Sequence, residues 1–413
     1  MSAEVPVPPE AAPARPAWRR WLRGSENGLV VAALAAMTVL PLLEILLRGL
    51  FRTGISGSSI LVQHLTLLVG MFGGAIAARD GRLLSLSTLT SLLKGRWKAG
   101  LMIFGGGFSA AISFFLCLAS FDYVQLMRPL GKILVYAIPV WAVQLVLPAG
   151  FGLVALRLVW TSASTWTGRL GALGIALGVA AVVAWAPLEP EQLLLPGLIA
   201  LALAVLAGAP VFTALGGAAL ILFWGQGEPV TSIPLKHYGL VTNPTLPSIP
   251  LFTLAGYFLA EGGASRRLIE VFRALFGWLR GGPAVVTVLV CAFFTSFTGA
   301  SGVTILALGG LLMPVMLAAG YKERSALGLL TGAGSLGLLF PPCLPLILYA
   351  IVANTSAQAD ITIQQMFLGG LGPGLLLVLL TAWWGIRQGG REGAQKSRLD
   401  WSAVGHSLWR AKW

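Results

Sequence analysis

Apolar residues in this chain come in long runs separated by short polar or basic stretches, and the lengths of the runs predict its elements. The hydrocarbon core of a bilayer takes a helix of about 17–25 apolar residues. Runs of that kind predict membrane-spanning helices over residues 28–50, 59–78, 100–121, 133–157 and 170–185, and a last one over 366–386. Between the fifth and the last the texture changes. Residues 193–207 stop at Gly208-Ala209-Pro210 and resume as 211–224. A polar loop is expected over 225–243, after which Pro244-Thr245-Leu246-Pro247-Ser248-Ile249-Pro250 opens an apolar segment that ends at Glu261-Gly262-Gly263. Over 265–280 the helical period has two faces. Arg266, Glu270, Arg273 and Arg280 share one, and Leu268, Phe272, Leu275 and Leu279 share the other. This predicts an amphipathic helix at a membrane interface. Trp401, Val404, Leu408 and Trp413 predict another in the tail.

Two apolar runs are interrupted where a membrane helix would carry Leu or Val. The first interruption is Thr298-Gly299-Ala300-Ser301-Gly302-Val303-Thr304. The second is Thr331-Gly332-Ala333-Gly334-Ser335-Leu336-Gly337, running into Phe340-Pro341-Pro342. Either one alone fits a close helix-packing surface. As a pair, with a Pro-Pro step that removes two backbone donors, they predict discontinuous helices. Backbone freed in this way is tolerated at membrane depth only when it is buried in protein or lines a cavity. Gly299-Ala300-Ser301-Gly302 also spells the GxSG of intramembrane serine proteases, which need a histidine to activate the serine. The histidines are His64, His237 and His406, and only His64 falls in an apolar run. The histidines therefore speak against an enzyme.

Composition narrows the class. The chain is 56% hydrophobic and only 10% charged, against about a quarter charged in soluble domains. An all-α polytopic membrane protein follows. The net charge of +13 resides in short loops, as topology signals do, and does not point to nucleic acid. Residues 1–27 are expected to be a disordered tail. That tail and the loops over 79–98 and 157–169 carry most of the Lys and Arg, and the turn with Glu189 and Glu191 falls on the opposite side. The more basic side is cytoplasmic, which places the N-terminus inside. The first apolar run is long enough to span, so no cleavable signal peptide is read. Cys117, Cys291 and Cys343 lie in apolar stretches without metal-ligand spacing. Glu44 and Arg48, four apart on one helix face, are expected to pair.

Particular stretches carry a resemblance to a known family. They are Ile249-Pro250-Leu251-Phe252-Thr253-Leu254-Ala255-Gly256, Gly262-Gly263-Ala264-Ser265-Arg266-Arg267-Leu268, Leu279-Arg280-Gly281-Gly282, Gly334-Ser335-Leu336-Gly337-Leu338-Leu339-Phe340-Pro341-Pro342 and Phe367-Leu368-Gly369-Gly370-Leu371-Gly372-Pro373-Gly374. Together they resemble the large membrane subunit of tripartite ATP-independent periplasmic (TRAP) transporters. The first four spans, with Ala77-Ala78-Arg79-Asp80-Gly81-Arg82 and Ile138-Pro139-Val140-Trp141, resemble the small membrane subunit of the same family. The chain thus resembles a fusion. It reads as a tail (1–27), a small-subunit-like four-helix domain (28–160), a linking helix (161–192), the first-repeat half of a large subunit (193–390) and an interfacial tail (391–413).

The resemblance implies a multi-pass protein of the bacterial inner membrane. It implies sodium-coupled import of a small organic anion, a periplasmic solute-binding protein as partner, and no cofactor beyond the coupling ion. Residues 283–318 would form a helical hairpin that enters the membrane and turns back, with its tip at 298–304. A broken helix over 327–354 would follow. The path for ion and solute would then run along Thr298, Gly299, Ala300, Ser301, Gly302, Thr304, Thr331, Gly332, Ala333, Gly334, Ser335, Pro341 and Pro342. Sodium would be held through Gly299, Ser301, Gly302, Thr331 and Gly334, with hydroxyls drawn from Ser301, Thr304, Thr331 or Ser335. Family large subunits carry a second repeat, and the chain stops about where that repeat would begin. A separate chain supplying that half is one expectation, an interrupted gene or a fragment of a longer chain is another, and a truncated or scaffold half without transport of its own is the alternative function.

Overall fold

The computed structural model describes residues 17–85, 92–185, 189–279, 281–299, 301–357, 361–389 and 401–412. The described residues form helices and no strand, in two compact units, 1–244 and 245–413. Among them, six helices are long and apolar enough to cross a membrane, or seven when one pair bent by 44° is taken as a single span. The protein is an all-α, multi-pass membrane protein.

In the first unit, α1 (Ala17–Phe51) begins earlier than the sequence predicts. The expected disordered tail over 1–27 is corrected from Ala17 onward, and residues 1–16 lie outside the described residues. A salt-bridge cluster explains the helical extension. Glu26 accepts from Arg79 at 2.9 Å and also from Arg157, and Arg79 further bonds Asn27 at 2.9 Å. A carboxylate shared by two half-buried guanidiniums fixes the first turns of α1 against α2 (Ser58–Arg79). It also brings together the three basic ends that the charge pattern put on one side. The Arg79 guanidinium beside Asp80 holds that carboxyl below the usual carboxylate range. The expected Glu44–Arg48 pair forms, at 2.6 Å.

The long helix α3 (Gly95–Met127) organises this unit. Its residues enter three apolar clusters: Phe108, Ile112 and Leu116 in one, Tyr123 and Val124 in the second, Ala110 in the third. The expected span over 133–157 is corrected at its start. Residues 131–139 fold into a turn, with Leu134 N–H donating to Ile138 O at 2.8 Å and Val140 N–H to Lys132 O at 2.9 Å. Extended Pro139, which lacks an N–H, then begins α4 (Val140–Gln144), followed by α5 (Val146–Thr161). The linking helix α6 (Trp166–Trp185) is held to α5 by Arg169, whose guanidinium lies 4.0 Å over Trp160 and donates to Ala163 O at 3.1 Å.

Three more helices complete the unit: α7 (Pro190–Leu206), α8 (Val211–Gly225) and α9 (Ser232–Val241). The Gly208-Ala209-Pro210 break between α7 and α8 pairs with the chain after α2, where Val211 N–H donates to Leu84 O at 2.8 Å. Helix α9 corrects the polar loop expected over 225–243. Pro234, Tyr238 and Val241 recur at helical spacing, Pro234 is buried, and Ile233, Tyr238 and Val241 pack against the apolar clusters, while Leu235 and Lys236 are exposed.

The second unit is built around α12 (Gly282–Thr298), which is apolar on all sides and largely buried. Around it lie α10 (Ser248–Glu261), α11 (Ala264–Phe276), α13 (Ser301–Ala318), α14 (Glu323–Ala333), a 3-10 turn (Leu336–Leu339), α15 (Leu344–Ala357), α16 (Ile363–Gln388) and α17 (Trp401–Ala411). Val286, Val288, Val290 and Phe294 of α12 share a core with Leu308, Leu312 and Met316 of α13 and with Leu329 and Leu330 of α14. The amphipathic α11 turns Leu268 and Phe272 to this core and exposes Arg266, Glu270 and Arg273. It ends at Phe276, short of the expected position 280, and Arg280 lies outside the described residues. On α17, Val404 is buried while Trp401 and Leu408 are exposed, and Trp413 lies outside the described residues. A capping box of Thr362 and Gln365 starts α16.

Candidate functional site

Two helices joined by a short turn, then a break between helices, occupy the ranges where the sequence predicts a hairpin and a broken helix. Helices α12 and α13 span Gly282–Thr298 and Ser301–Ala318, within a residue of the expected 283–318. Helix α14 ends at Ala333, the 3-10 turn follows, and Pro341-Pro342 lie in the turn before α15. The bend of 44° falls at this break.

Two glycines make the geometry possible. Gly299 closes α12 in the left-handed region (φ +64°), and a Cβ there would lie 2.6 Å from Leu344 at the start of α15. Gly337 lets the 3-10 turn lie on the backbone of α12, since a Cβ would sit 2.2 Å from Ala292 O and 2.5 Å from Ser296 N. The hairpin tip is further backed by Gly256 of α10, which packs on Thr298.

Three hydroxyls and a carbonyl converge inside the tip. Thr298 Oγ1 and Thr295 Oγ1 each lie 3.0 Å from Thr304 Oγ1, and Thr295 Oγ1 lies 2.9 Å from Gly334 O. Thr295 Oγ1 is also 2.8 Å from Cys291 O. All three threonines are buried. The three hydroxyl protons are shared along this network, so each buried threonine hydroxyl is hydrogen-bonded. Closely set oxygens of this kind suit a hard cation. No cluster of three or more His, Cys, Asp or Glu that could hold a metal occurs among the described residues.

The structure thus brings Thr298, Thr304 and Gly334 together, three of the predicted path residues. Thr295, which the sequence reading missed, joins them. Its signal was its place three residues before Thr298, one helical turn away on the same face. Other predicted residues face elsewhere. Thr331 Oγ1 donates back to Leu327 O at 2.8 Å and Ser335 Oγ to Gly332 O at 2.9 Å, and both side chains are exposed. Gly302, Gly332 and Pro341 are exposed, Ser301 and Pro342 are half-buried, and Ala333 is buried. Ala300 lies outside the described residues.

The sequence comparisons bear directly on this arrangement. The family model for the DctM component of the tripartite ATP-independent periplasmic transporter matches residues 198–411, more than half of the chain. The chain belongs to this TRAP transporter family. The model for the DctQ component matches residues 37–168, so a small-subunit sequence is fused to a large-subunit sequence. Among relatives, the isethionate TRAP transporter permease protein DctMQ of Oleidesulfovibrio alaskensis is 33% identical over 287 residues, covering 67% of this chain and 44% of that protein. The C4-dicarboxylate TRAP transporter large permease protein of Vibrio cholerae is 34% identical over 178 residues, 43% of this chain and 38% of that one. The ectoine/5-hydroxyectoine TRAP transporter large permease protein of Ruegeria pomeroyi is 32% identical over 195 residues, 47% and 44%. The chain spans about half the length of the curated relatives it matches.

These relatives are permeases, not enzymes. The GxSG reading fails on geometry as well, because both ring nitrogens of His64, the one histidine in an apolar run, are already engaged with Ile60 O and Tyr238 Oη. The matched ranges also show where sequence and packing part company. Large-subunit similarity starts at residue 198, yet the chain up to Pro244 packs in the first unit. Most of α7, and all of α8 and α9, are therefore large-subunit by sequence and part of the small-subunit unit by packing.

Proposed function

We propose that this chain is a membrane component of a sodium-coupled secondary transporter. It would import a small organic anion delivered by a periplasmic binding protein across the bacterial inner membrane, with the N-terminus of the chain in the cytoplasm. The observation that carries the reading is the buried oxygen cluster of Thr295, Thr298, Thr304 and Gly334 at the tip of the hairpin. Its donors fit sodium, a hard cation held by oxygen. In this reading the hydroxyl ligands are revised: Thr295 and Thr298 replace Ser301, Thr331 and Ser335, while Thr304 and Gly334 stay. The C-terminal end of α12 meets the first turn of α15 at the Gly299–Leu344 contact, and a helix N-terminus such as that of α15 favours a carboxylate or sulfonate. Relatives named for C4-dicarboxylates and isethionate support an anionic solute.

The test is uptake in liposomes, with the chain reconstituted beside a binding protein and whatever chain supplies a second repeat. Thr304→Val keeps the shape of the side chain and removes its hydroxyl. It is expected to lower sodium-stimulated uptake at least about tenfold, as the loss of a charge-assisted contact would, with the yield of folded protein unchanged. Sodium-stimulated uptake at the wild-type level in this variant would sink the site. Absence of uptake by the wild type even with every partner present would sink the transport reading.

A further inference from the structure

The first unit holds a buried polar cluster that the transport reading leaves unused. His64 Nδ1 of α2 lies 2.7 Å from Ile60 O, and its Nε2 lies 2.8 Å from Tyr238 Oη of α9. A carbonyl only accepts, so Nδ1 carries the proton, Nε2 is the acceptor, and the Tyr238 hydroxyl donates to it. Beside them Gln144 of α4 donates through Nε2 to Tyr123 Oη of α3 at 3.0 Å. The Tyr238 ring lies 5.8 Å from the His64 ring and 6.3 Å from the Tyr123 ring, centroid to centroid. Leu67, Met71, Val124 and Leu147 close an apolar shell around the cluster.

The members come from two sequences. His64, Tyr123 and Gln144 fall in the stretch that matches the small subunit, and Tyr238 falls in the stretch that matches the large one. We propose that this cluster is a recognition key: the small-subunit helices α2, α3 and α4 select α9 of a large subunit by the hydroxyl it presents to His64. The apolar shell supplies attraction without choice, since any helix of suitable shape would bury it. The buried imidazole supplies the choice. A helix that brought no donor would leave His64 Nε2 desolvated and unpartnered, and such an orphan weakens a seat by about tenfold or more. Replacing both partners with apolar groups removes the orphan and the selectivity together. In this chain the surface is occupied by its own α9. In a transporter made of separate subunits the same surface would choose its partner.

A protease site inserted between α6 and α7, within residues 186–188, turns the contact into an association that can be measured. The chain is purified whole, checked for monodispersity, cut, and captured by a tag on the N-terminal piece. The wild-type pieces are expected to stay together. Tyr238→Phe and His64→Leu are each expected to lower retention of the C-terminal piece about tenfold, and the double variant to recover most of it. Retention unchanged in both single variants would overturn the proposal, as would a double variant whose loss is the product of the two single losses. Nitrogen-15 resonances of the histidines in the uncut protein give a readout that survives a folding failure in any variant. His64 is expected as the neutral tautomer protonated at Nδ1, and an Nε2-protonated ring would equally overturn the key.

Discussion

The two units satisfy their buried polar groups by different means. In the first unit the helices between breaks are long, and their polar contacts join side chains far apart in sequence: Glu26 with Arg79 and Arg157, and His64 with Tyr238. Its breaks are closed by backbone pairing, as between Val211 N–H and Leu84 O, and these side-chain contacts add ties between helices. In the second unit the helices are broken, and the buried contacts at the breaks are made by short hydroxyls and carbonyls: Thr295, Thr298 and Thr304 with Gly334 O. A broken helix ends with unfilled backbone groups, which water cannot reach at depth and which protein or ligand must fill. The first arrangement is suited to a rigid support. The second is suited to taking up and releasing an ion.

Substitutions that move each unit toward the other's chemistry would break this contrast. The largest effect is expected at Gly337, where any side chain meets the α12 backbone. Gly337→Val should collapse the monodisperse yield in detergent. Gly174→Val on α6, where nothing lies within 4 Å, should leave it unchanged. Equal yields from the two would show that the close approach at the break is not required. At the other extreme, Thr331→Ala and Ser335→Ala should leave sodium-stimulated uptake within about twofold of wild type, because both hydroxyls bond their own helical turns. A tenfold loss in either variant would return those residues to the site. In the first unit, Glu26→Gln removes a partly exposed charge from two guanidiniums and should cost about 1 kcal/mol. That corresponds to a drop of about 2–4 °C in the melting midpoint. A drop larger than about 10 °C would mean that the cluster carries more of the unit than its exposure allows.

The elements marked by punctuation were legible in the sequence. Gly299 and Pro341-Pro342 break apolar runs, and the hairpin and the bent helix fall there within a residue or two. The amphipathic faces of α11 were equally plain, because charge and leucine alternate at helical spacing. Rotation of a broken helix about its axis was not legible. Thr331 and Ser335 stand in the expected segment, but only packing against α12 decides that Gly334 O faces in while those hydroxyls face out. Thr295 was hidden for the converse reason, as a hydroxyl that lies within an apolar run, before the Thr298–Thr304 interruption, and reads as core. Helix α9 was hidden by Lys236 and His237, which made 225–243 look like a loop although half-buried Ile233, Tyr238 and Val241 pack against the apolar clusters. The start of α4 was missed because Ile133–Pro139 is apolar enough to read as helix, yet its turn pairs backbone across Pro139.

The central claim is that the oxygen cluster at the hairpin tip binds sodium, and ligand-dependent stability tests it without any partner or solute. A ligand that binds only the folded state raises the melting midpoint as its concentration passes the dissociation constant. The midpoint of the purified chain should rise in sodium relative to equal potassium or choline, and Thr304→Val and Thr295→Val should each abolish that rise, measured against each variant's own midpoint in potassium. The same midpoint in all three salts for the wild type, or an undiminished rise in both variants, would contradict the account.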